Sequence, residues 1–181
     1  MLMKSDESAV LVVDVQEKLV PAIHDHGNVL DSIEWLLGVA GVLSVPMVAT
    51  EQYPHGLGYT VAQLATYLNE DAIAEKVAFS AMAEPQAREL ITDVDRRQVL
   101  VCGIEAHVCV LQTAVGLKEA GYEVFVVGDA VGSRNPGDRE MALARLRGMG
   151  VEVVTREMAA FEWLQRAGTD EFREISRDFL R

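Results

Sequence analysis

The sequence has little cysteine and little positive charge. Two of its 181 residues are cysteine, which excludes a disulfide framework of the kind that stabilises small secreted domains. Lysine and arginine number 16 against 28 aspartate and glutamate residues, so the formal net charge is −12. Nucleic acids and anionic membranes both select proteins with a basic face, and we therefore expect neither as a partner.

Long apolar runs are missing as well. No run approaches the roughly 20 residues that a membrane-spanning helix needs. Residues 1–7 include two acids and a lysine and lack the apolar centre of a secretory signal. Because an active thiol also favours a reducing compartment, we expect a cytoplasmic protein.

Several motifs that would assign a chemistry are absent. No Gly-x-Gly-x-x-Gly follows the first apolar run, and there is neither a phosphate-binding Walker loop nor a Gly-x-Ser-x-Gly elbow. A Cys-x-x-Cys pair is also lacking, so thioredoxin-type redox chemistry has no second thiol. The four histidines (His24, His26, His55 and His107) have no recognised metal-ligand spacing. We expect neither a metal nor a cofactor.

What the sequence does have is a regular alternation of two patterns. Half of its residues are hydrophobic, enough for a substantial core. Short apolar runs alternate with segments in which apolar residues recur every three or four positions. Alternation of this kind predicts parallel strands joined by right-handed helical crossovers. We predict an α/β protein with three layers, α/β/α, and a doubly wound, mostly parallel sheet, in a single domain over residues 1–181.

The stretch 98–117 is the centre of this predicted architecture. Residues 99–102 form an apolar run, which is typical of a strand buried on both faces. Gly103 permits a tight turn, and helical spacing begins at about His107 and ends at Gly121. The turn after such a strand lies at the carboxyl edge of the sheet, where open α/β folds bind ligands.

Cys109 falls in the first turn of this predicted helix. Unpaired N–H groups and the helix dipole stabilise an anion there, so we expect its thiolate to form at lower pH than in a free thiol. The alternative is a small buried hydrophobe, which is the common role of free cysteine and the one we expect for Cys102 inside the strand.

Two charged residues interrupt apolar runs elsewhere. Asp14 is near the end of the first predicted strand, 9–15, and Lys76 lies within the short run 73–81. An unpaired buried carboxylate is costly, so Asp14 is expected at a strand end, near the Cys109 turn if the two strands are neighbours. The alternatives are a turn aspartate and a solvated lysine on an edge strand. Together, the three side chains would form a site in which a carboxylate takes the thiol proton.

Four segments resemble a known family and occur in its order. They are Leu-Val-Val-Asp-Val-Gln at 11–16, Glu-Lys-Val-Ala-Phe-Ser at 75–80, Cys-Gly-Ile-Glu-Ala-His-Val-Cys-Val-Leu-Gln-Thr-Ala at 102–114 and Asp-Ala-Val-Gly-Ser-Arg at 129–134. They resemble the isochorismatase-like cysteine hydrolases, a superfamily that includes nicotinamidases and N-carbamoylsarcosine amidases. The loop Thr-Glu-Gln-Tyr-Pro-His-Gly-Leu-Gly at 50–58 is most similar to the isochorismatase domain-containing protein branch.

The resemblance implies a catalytic triad of Asp14, Lys76 and Cys109. In it Cys109 attacks a carbonyl carbon, Asp14 acts as general base and then acid, and Lys76 supplies positive charge. The resemblance also implies a cis peptide bond between Ile104 and Glu105, which aims the backbone N–H groups of Glu105 and Cys109 at the oxyanion. Members of the family usually assemble as oligomers, so a homo-oligomer is expected.

Two departures from the family narrow the substrate. Nicotinamidases bind a metal through an aspartate and histidines after the second strand, where this sequence has Thr-Glu-Gln-Tyr-Pro-His at 50–55. True isochorismatases lack the cysteine. Cys109 thus implies a thioester intermediate and an amide, carbamoyl or related acyl bond in a small molecule. The candidate pocket residues are Gln16, Tyr53, Leu57, Phe79 and His107.

Two other classes of function stay open. One is an interaction or regulatory protein that keeps the fold without turnover, although the intact triad residues argue against it. The other is a redox-active thiol protein that uses Cys109. That chemistry requires a resolving thiol, and Cys102 on the predicted strand has doubtful geometry for it. Asp129, Ser133 and Arg134 are expected to order a loop or an interface.

Overall fold

The computed structural model describes residues 1–180, and its centre is a sheet of six strands. In chain order the strands are β1 (Ser8–Val13), β2 (Met47–Gln52), β3 (Ile73–Lys76), β4 (Gln98–Ile104), β5 (Glu123–Gly132) and β6 (Glu152–Val154). Their order across the sheet is β3-β2-β1-β4-β5-β6, and every neighbouring pair is parallel.

Within residues 1–180, eight α-helices connect the strands or follow them. They are α1 (His26–Val42), α2 (Pro54–Leu57), α3 (Ala62–Ala65), α4 (Pro85–Asp93), α5 (Leu111–Glu119), α6 (Pro136–Gly148), α7 (Arg156–Leu164) and α8 (Asp170–Asp178). A π-helical turn, Ala106–Val110, leads into α5. Within residues 1–180, no helix has both the length and the apolarity to cross a membrane.

The central strand β1 shows why helices cover both faces of the sheet. All six of its residues are buried, and successive side chains point to opposite faces. Val10 and Val12 belong to one apolar cluster, and Leu11 and Val13 belong to the other. The first cluster includes apolar side chains of α1, α7 and α8, and the second includes those of α4, α5 and α6. This confirms the predicted three-layer α/β/α fold.

Gly103 brings β1 and β4 together at their carboxyl ends. Its φ of +117° is one that L side chains rarely adopt, and a Cβ atom there would lie 2.2 Å from the carbonyl oxygen of Val13. The pairing of β4 with β5 also changes register between Val101 and Gly103. The backbones of the two central strands are therefore as close at this point as a glycine allows.

Some predicted boundaries are wrong. β1 ends at Val13 rather than at residue 15. The apolar spacing also predicts a helix over about 60–68 and a strand over 123–129. The structure has only the single turn α3 in the first segment, and the strand continues to Gly132, because residues 131 and 132 pair with β4 beyond the change of register. Threonines are common N-caps, and Thr155 and Thr169 are expected to be such caps; Thr155 accepts from the N–H of Met158, and Thr169 does the same at the start of α8, which confirms both.

Candidate active site

Asp14 lies immediately after β1, where the chain leaves the sheet. Its φ of +54° belongs to the left-handed region, which aspartate tolerates better than most residues. The N–H of Asp14 donates to the carbonyl of Thr50 (3.0 Å), and Thr50 Oγ1 donates to Asp14 Oδ1 (2.7 Å). Through these two hydrogen bonds, β2 holds both the backbone of Asp14 and one of its carboxylate oxygens. The Asp14 side chain is completely buried.

Lys76, at the end of β3, forms an ion pair with this carboxyl group. Its Nζ lies 2.7 Å from Asp14 Oδ2, and both side chains have no exposed surface. The ammonium also donates to Gln52 Oε1 at 2.6 Å and to the carbonyls of Ala78 and Phe79 at 3.1 Å each. Burying two charges is costly unless they are paired and hydrogen-bonded. Here the charges are paired, Asp14 Oδ1 accepts from Thr50, and Lys76 Nζ donates to Gln52. Lys76 lies on an edge strand, but it is buried, so the alternative of a solvated lysine there is wrong.

Cys109 faces this pair from the π-helical turn after β4. The residue is 8% exposed. Burial, and then the charge of Asp14, raise the pKa of its thiol to about 12, while Lys76 opposes the change. Burial also raises the pKa of Asp14 above its ordinary value, against the opposing charge of Lys76 and hydrogen bonds that include one from Thr50. The prediction of a thiolate formed at low pH is therefore wrong, because burial and the charge of Asp14 raise the thiol pKa.

The residues that follow β5 hold the start of the π-helical turn in place. The peptide bond between Ile104 and Glu105 is cis. The Glu105 carboxylate accepts from the backbone N–H of Arg134 (3.0 Å) and from its Nε (3.1 Å). His107 Nδ1 lies 3.0 Å from Ser133 Oγ. Ser133 and Arg134 thus order the segment that carries Cys109, as expected from the sequence.

Asp129 lies apart from these contacts. Its Oδ1 accepts from the backbone N–H of Arg156 at 2.9 Å, at the start of α7. Among residues 1–180, no three histidine, cysteine, aspartate or glutamate side chains are grouped so that they could hold a metal ion.

The five pocket candidates occupy different environments. Tyr53 is 56% exposed and Phe79 is 53% exposed, while Leu57 and His107 are partly buried. Gln16 is completely buried, and its amide is bonded to the backbone of Gln52 and Gly58. Gln16 is therefore placed beneath the site, in contrast to the pocket wall that we expected. A cavity of about 260 Å³ lies beside β3 and is lined by Tyr53, Pro54, His55, Glu75, Lys76, Val77 and Glu84.

Sequence reasoning missed two residues that touch the ion pair, Thr50 and Gln52. Thr50 donates a hydrogen bond to the Asp14 carboxylate, and Gln52 accepts one from the Lys76 ammonium. The signal was their spacing, because residues two apart in a strand share a face. Thr50 and Gln52 are polar residues at the end of a largely buried strand, and this pattern could have indicated that both face Asp14 and Lys76.

The fold and the clustered ionisable groups define a class: a doubly wound α/β protein with a thiol and a buried ion pair at the carboxyl edge of its sheet. Residues 8–158 match the family model described as isochorismatase domain. The chain is 42% identical over 171 residues to isochorismatase domain-containing protein 2 of Danio rerio, covering 94% of this chain and 85% of that protein. The chain belongs to the isochorismatase family.

Solved structures with this fold include a ribonuclease and a hydrolase. MAR1 ribonuclease from Caenorhabditis elegans has a TM-score of 0.92 at 35% identity, with 100% of this chain and 93% of that chain covered. The YcaC gene product of Escherichia coli, an octameric hydrolase of unknown specificity, has a TM-score of 0.91 at 22% identity, with 99% and 91% covered. At that identity, the second likeness shows the fold alone.

Proposed function

We propose that this protein is a cysteine-dependent hydrolase of a small-molecule amide or carbamoyl bond, with Asp14, Lys76 and Cys109 as its catalytic triad. The observation that carries the proposal is the fully buried ion pair of Asp14 and Lys76 beside the Cys109 thiol. Perturbed ionisable groups clustered at the carboxyl edge of an open α/β sheet are typical of catalytic sites. Membership of a family that is generally hydrolytic supports the same chemistry.

The first half of the reaction forms a thioester. The Cys109 proton moves to Asp14 as Sγ attacks the carbonyl carbon, and the electron pair of the C=O bond moves to its oxygen. The backbone N–H groups of Glu105 and Cys109 stabilise this oxyanion. When the intermediate collapses, the C–N bond breaks and Asp14 returns the proton to the leaving nitrogen. Lys76 keeps its charge throughout and balances the carboxylate.

The second half releases the product and restores the thiol. Asp14 takes a proton from water, the resulting hydroxide attacks the thioester carbon, and the C–S bond breaks. Sγ then recovers its proton from Asp14. A neutral resting thiol, with its pKa raised to about 12, suits this cycle because the base beside it removes the proton only as the attack takes place.

The remaining assignments follow from position. Tyr53, Leu57, Phe79 and His107 stay candidates for contacts with a small substrate, and Gln16 takes a supporting role beneath them. No metal or cofactor takes part in the proposed cycle. We also propose a cytoplasmic homo-oligomer of one domain, and the octameric assembly of the Escherichia coli hydrolase supports the oligomer.

Ammonia release from a panel of small amides and carbamoyl compounds tests the proposal. We expect release by the wild type and by Cys102→Ala, which carries the same substitution away from the ion pair. We expect none from Cys109→Ala, which lacks the nucleophile, and a strong reduction in Lys76→Met. Release that persists in Cys109→Ala would overturn the triad.

A second arm offers RNA as substrate, because the Caenorhabditis elegans protein of the same fold is described as a ribonuclease. The net charge of −12 makes a polyanion a poor match, so we expect no cleavage. RNA cleavage that depends on Cys109, without ammonia release, would replace the amide proposal. No turnover in either arm, with a Cys109 thiol unreactive toward alkylating agents, would favour an interaction protein.

A further inference from the structure

The Lys76 ammonium has more acceptors around it than it has protons. Gln52 Oε1 lies at 2.6 Å, and the carbonyl oxygens of Ala78 and Phe79 lie at 3.1 Å each. Asp14 Oδ2 is a fourth neighbour at 2.7 Å. An ammonium has three donors, so these four oxygens compete for its protons.

Asp14 Oδ2 is the one of the four whose contact with Nζ, although short, lacks hydrogen-bond geometry. Among residues 1–180 this buried atom has no partner with hydrogen-bond geometry, whereas Oδ1 receives the Thr50 hydroxyl at 2.7 Å. A buried carboxylate oxygen without a donor costs free energy, and in native proteins such an atom calls for a reason. Here Lys76 stabilises the negative charge through space, while a lone pair of Oδ2 is left for the Cys109 proton.

We propose that Gln52 is a positioning residue, whose amide oxygen draws a proton of the Lys76 ammonium away from Asp14 Oδ2 and keeps that oxygen free as a base. The inference rests on the proposed role of Asp14 in the reaction. In the step concerned, the S–H bond of Cys109 breaks and an O–H bond forms at Oδ2. The electron pair stays on sulfur as the thiolate.

A second glutamine holds Gln52 in place. Gln16 Oε1 accepts from the backbone N–H of Gln52 at 2.7 Å, and Gln16 Nε2 donates to the Gln52 carbonyl at 3.0 Å and to that of Gly58 at 2.6 Å. The side-chain amide of Gln52 is oriented as well, because its Nε2 donates to the carbonyl of Val77 at 2.7 Å. Its oxygen is thereby turned toward Lys76, since an NH₂ group cannot accept from an ammonium.

The other charged or titratable groups around the ammonium are Asp14, Cys109 and Glu84. Glu84 stands before α4, accepts from the N–H groups of Val77 and Ala78 at 3.0 and 3.3 Å, and interacts with the charge of Lys76. Replacing any of these three would change a charge or remove the nucleophile. Gln52 is neutral, so its replacement by an uncharged residue without an acceptor changes the sharing of the Lys76 protons and leaves every charge at the site in place.

The rate of alkylation of Cys109 by iodoacetamide, followed against pH, tests the proposal without any substrate. Alkylation forms an Sγ–C bond and releases iodide, and it needs the thiol proton to move to Asp14. In Gln52→Met a Lys76 proton turns to Oδ2 and stabilises the carboxylate. We therefore expect the acidic limb of the rate profile to move to lower pH by about one pH unit, and the alkylation rate on the plateau to fall about tenfold. In Gln52→Glu the added negative charge moves the limb to higher pH by about one pH unit.

Opposite displacements in the two variants are the signature of proton sharing, which a packing role does not produce. The matched control is Gln86→Met at an exposed position of α4, where we expect the wild-type profile. Displacements in the same direction, or none, would overturn the role of Gln52. If the methionine variant fails to fold, Gln52→Leu, which also lacks an acceptor, takes its place with the same expected displacement.

Failure of the underlying reaction has a different readout. If Asp14→Asn keeps the acidic limb of the wild type, then Asp14 is not the base, whatever the Gln52 variants do. If the limb disappears in Asp14→Asn and stays unmoved in both Gln52 variants, only the role of Gln52 is lost.

Discussion

The two cysteines share a thiol pKa and differ in what surrounds them. Burial raises the pKa of both thiols to about 12. Cys102 lies inside β4, completely buried, with its Sγ 3.7 Å from the carbonyl oxygen of Leu11. Cys109 lies on the following turn and interacts with Asp14 and Lys76. A low resting pKa is therefore not what separates a candidate nucleophile from an inert thiol in this protein. The separating feature is a proton acceptor held beside the sulfur.

The largest expected effect comes from replacing each cysteine in turn. In native protein we expect iodoacetamide to label one thiol, and Cys109→Ala to abolish that labelling. Cys102→Ala should leave that labelling intact. A thiol in the centre of a sheet reacts only after the strand opens, so we expect Cys102 to be labelled at least about 1,000-fold more slowly than Cys109. Mass spectrometry of the intact protein measures both. Faster labelling of Cys102 than of Cys109 would reverse the comparison.

Asp14→Asn should make Cys109 behave like Cys102 at neutral pH. The amide keeps the volume of the side chain but cannot take the proton, so we expect labelling at pH 7 to slow by about 100-fold or more. The residual rate should rise with alkaline pH, because the proton must then leave for solvent and the charge that raises the thiol pKa is gone. Labelling rates across pH check both parts. A wild-type rate at pH 7 would show that the carboxylate is not needed.

Lys76→Met should affect the stability of the fold as well as the chemistry. It leaves the Asp14 carboxylate buried without its counter-ion, and breaking such a pair costs about 3–5 kcal/mol. The loss should be smallest at acid pH, where the carboxyl group is protonated. In the double variant Asp14→Asn/Lys76→Met we expect most of the free energy of unfolding to return. Urea unfolding measures all three proteins, and a loss that the double variant does not reduce would contradict the pairing.

The smallest effect concerns Cys102 in alkaline solution. An ordinary thiol has a pKa of 9.0 and the folded-state value is about 12, so between these values the folded protein keeps a proton that the unfolded chain releases. The corresponding stability is fully present below pH 9 and is lost as the pH rises toward 12, by about 1.4 kcal/mol per pH unit.

Cys102→Ala removes this contribution and keeps the others. The difference in free energy of unfolding between wild type and variant should therefore shrink as the pH rises from about 9 to about 10.5. Urea unfolding at several pH values measures that difference. A constant difference would mean that the Cys102 thiol ionises in the folded protein as it does in the unfolded chain.

The sequence was sufficient for the parts of the molecule that depend on apolar patterning. The buried runs predicted the strands, and parallel pairing of β1 with both β2 and β4 brings residues that end different strands to one edge. That is why Asp14, Lys76 and Cys109, far apart in the chain, could be expected together. Their roles came from the family resemblance and stay predictions.

The parts that could not be predicted depend on tertiary surroundings. A low pKa of Cys109 was predicted from its place in the first turn of a helix, but burial and the charge of Asp14 raise that pKa. Gln16 was expected in a pocket, yet its partners are backbone groups 36 and 42 residues further along the chain. A polar residue at a strand end gives no signal of whether it faces a ligand or supports a neighbouring strand.

The contact of Gly103 with Val13 has a consequence for how the protein could be altered by evolution or in the laboratory. The spacing between the strand that precedes Asp14 and the strand that leads to Cys109 is determined by main-chain atoms in contact, with no side chain between them. Core side chains further along these strands could be exchanged in a combinatorial library while that spacing is kept. Position 103 is where such a library should allow no diversity, because any larger residue would push the two strands apart.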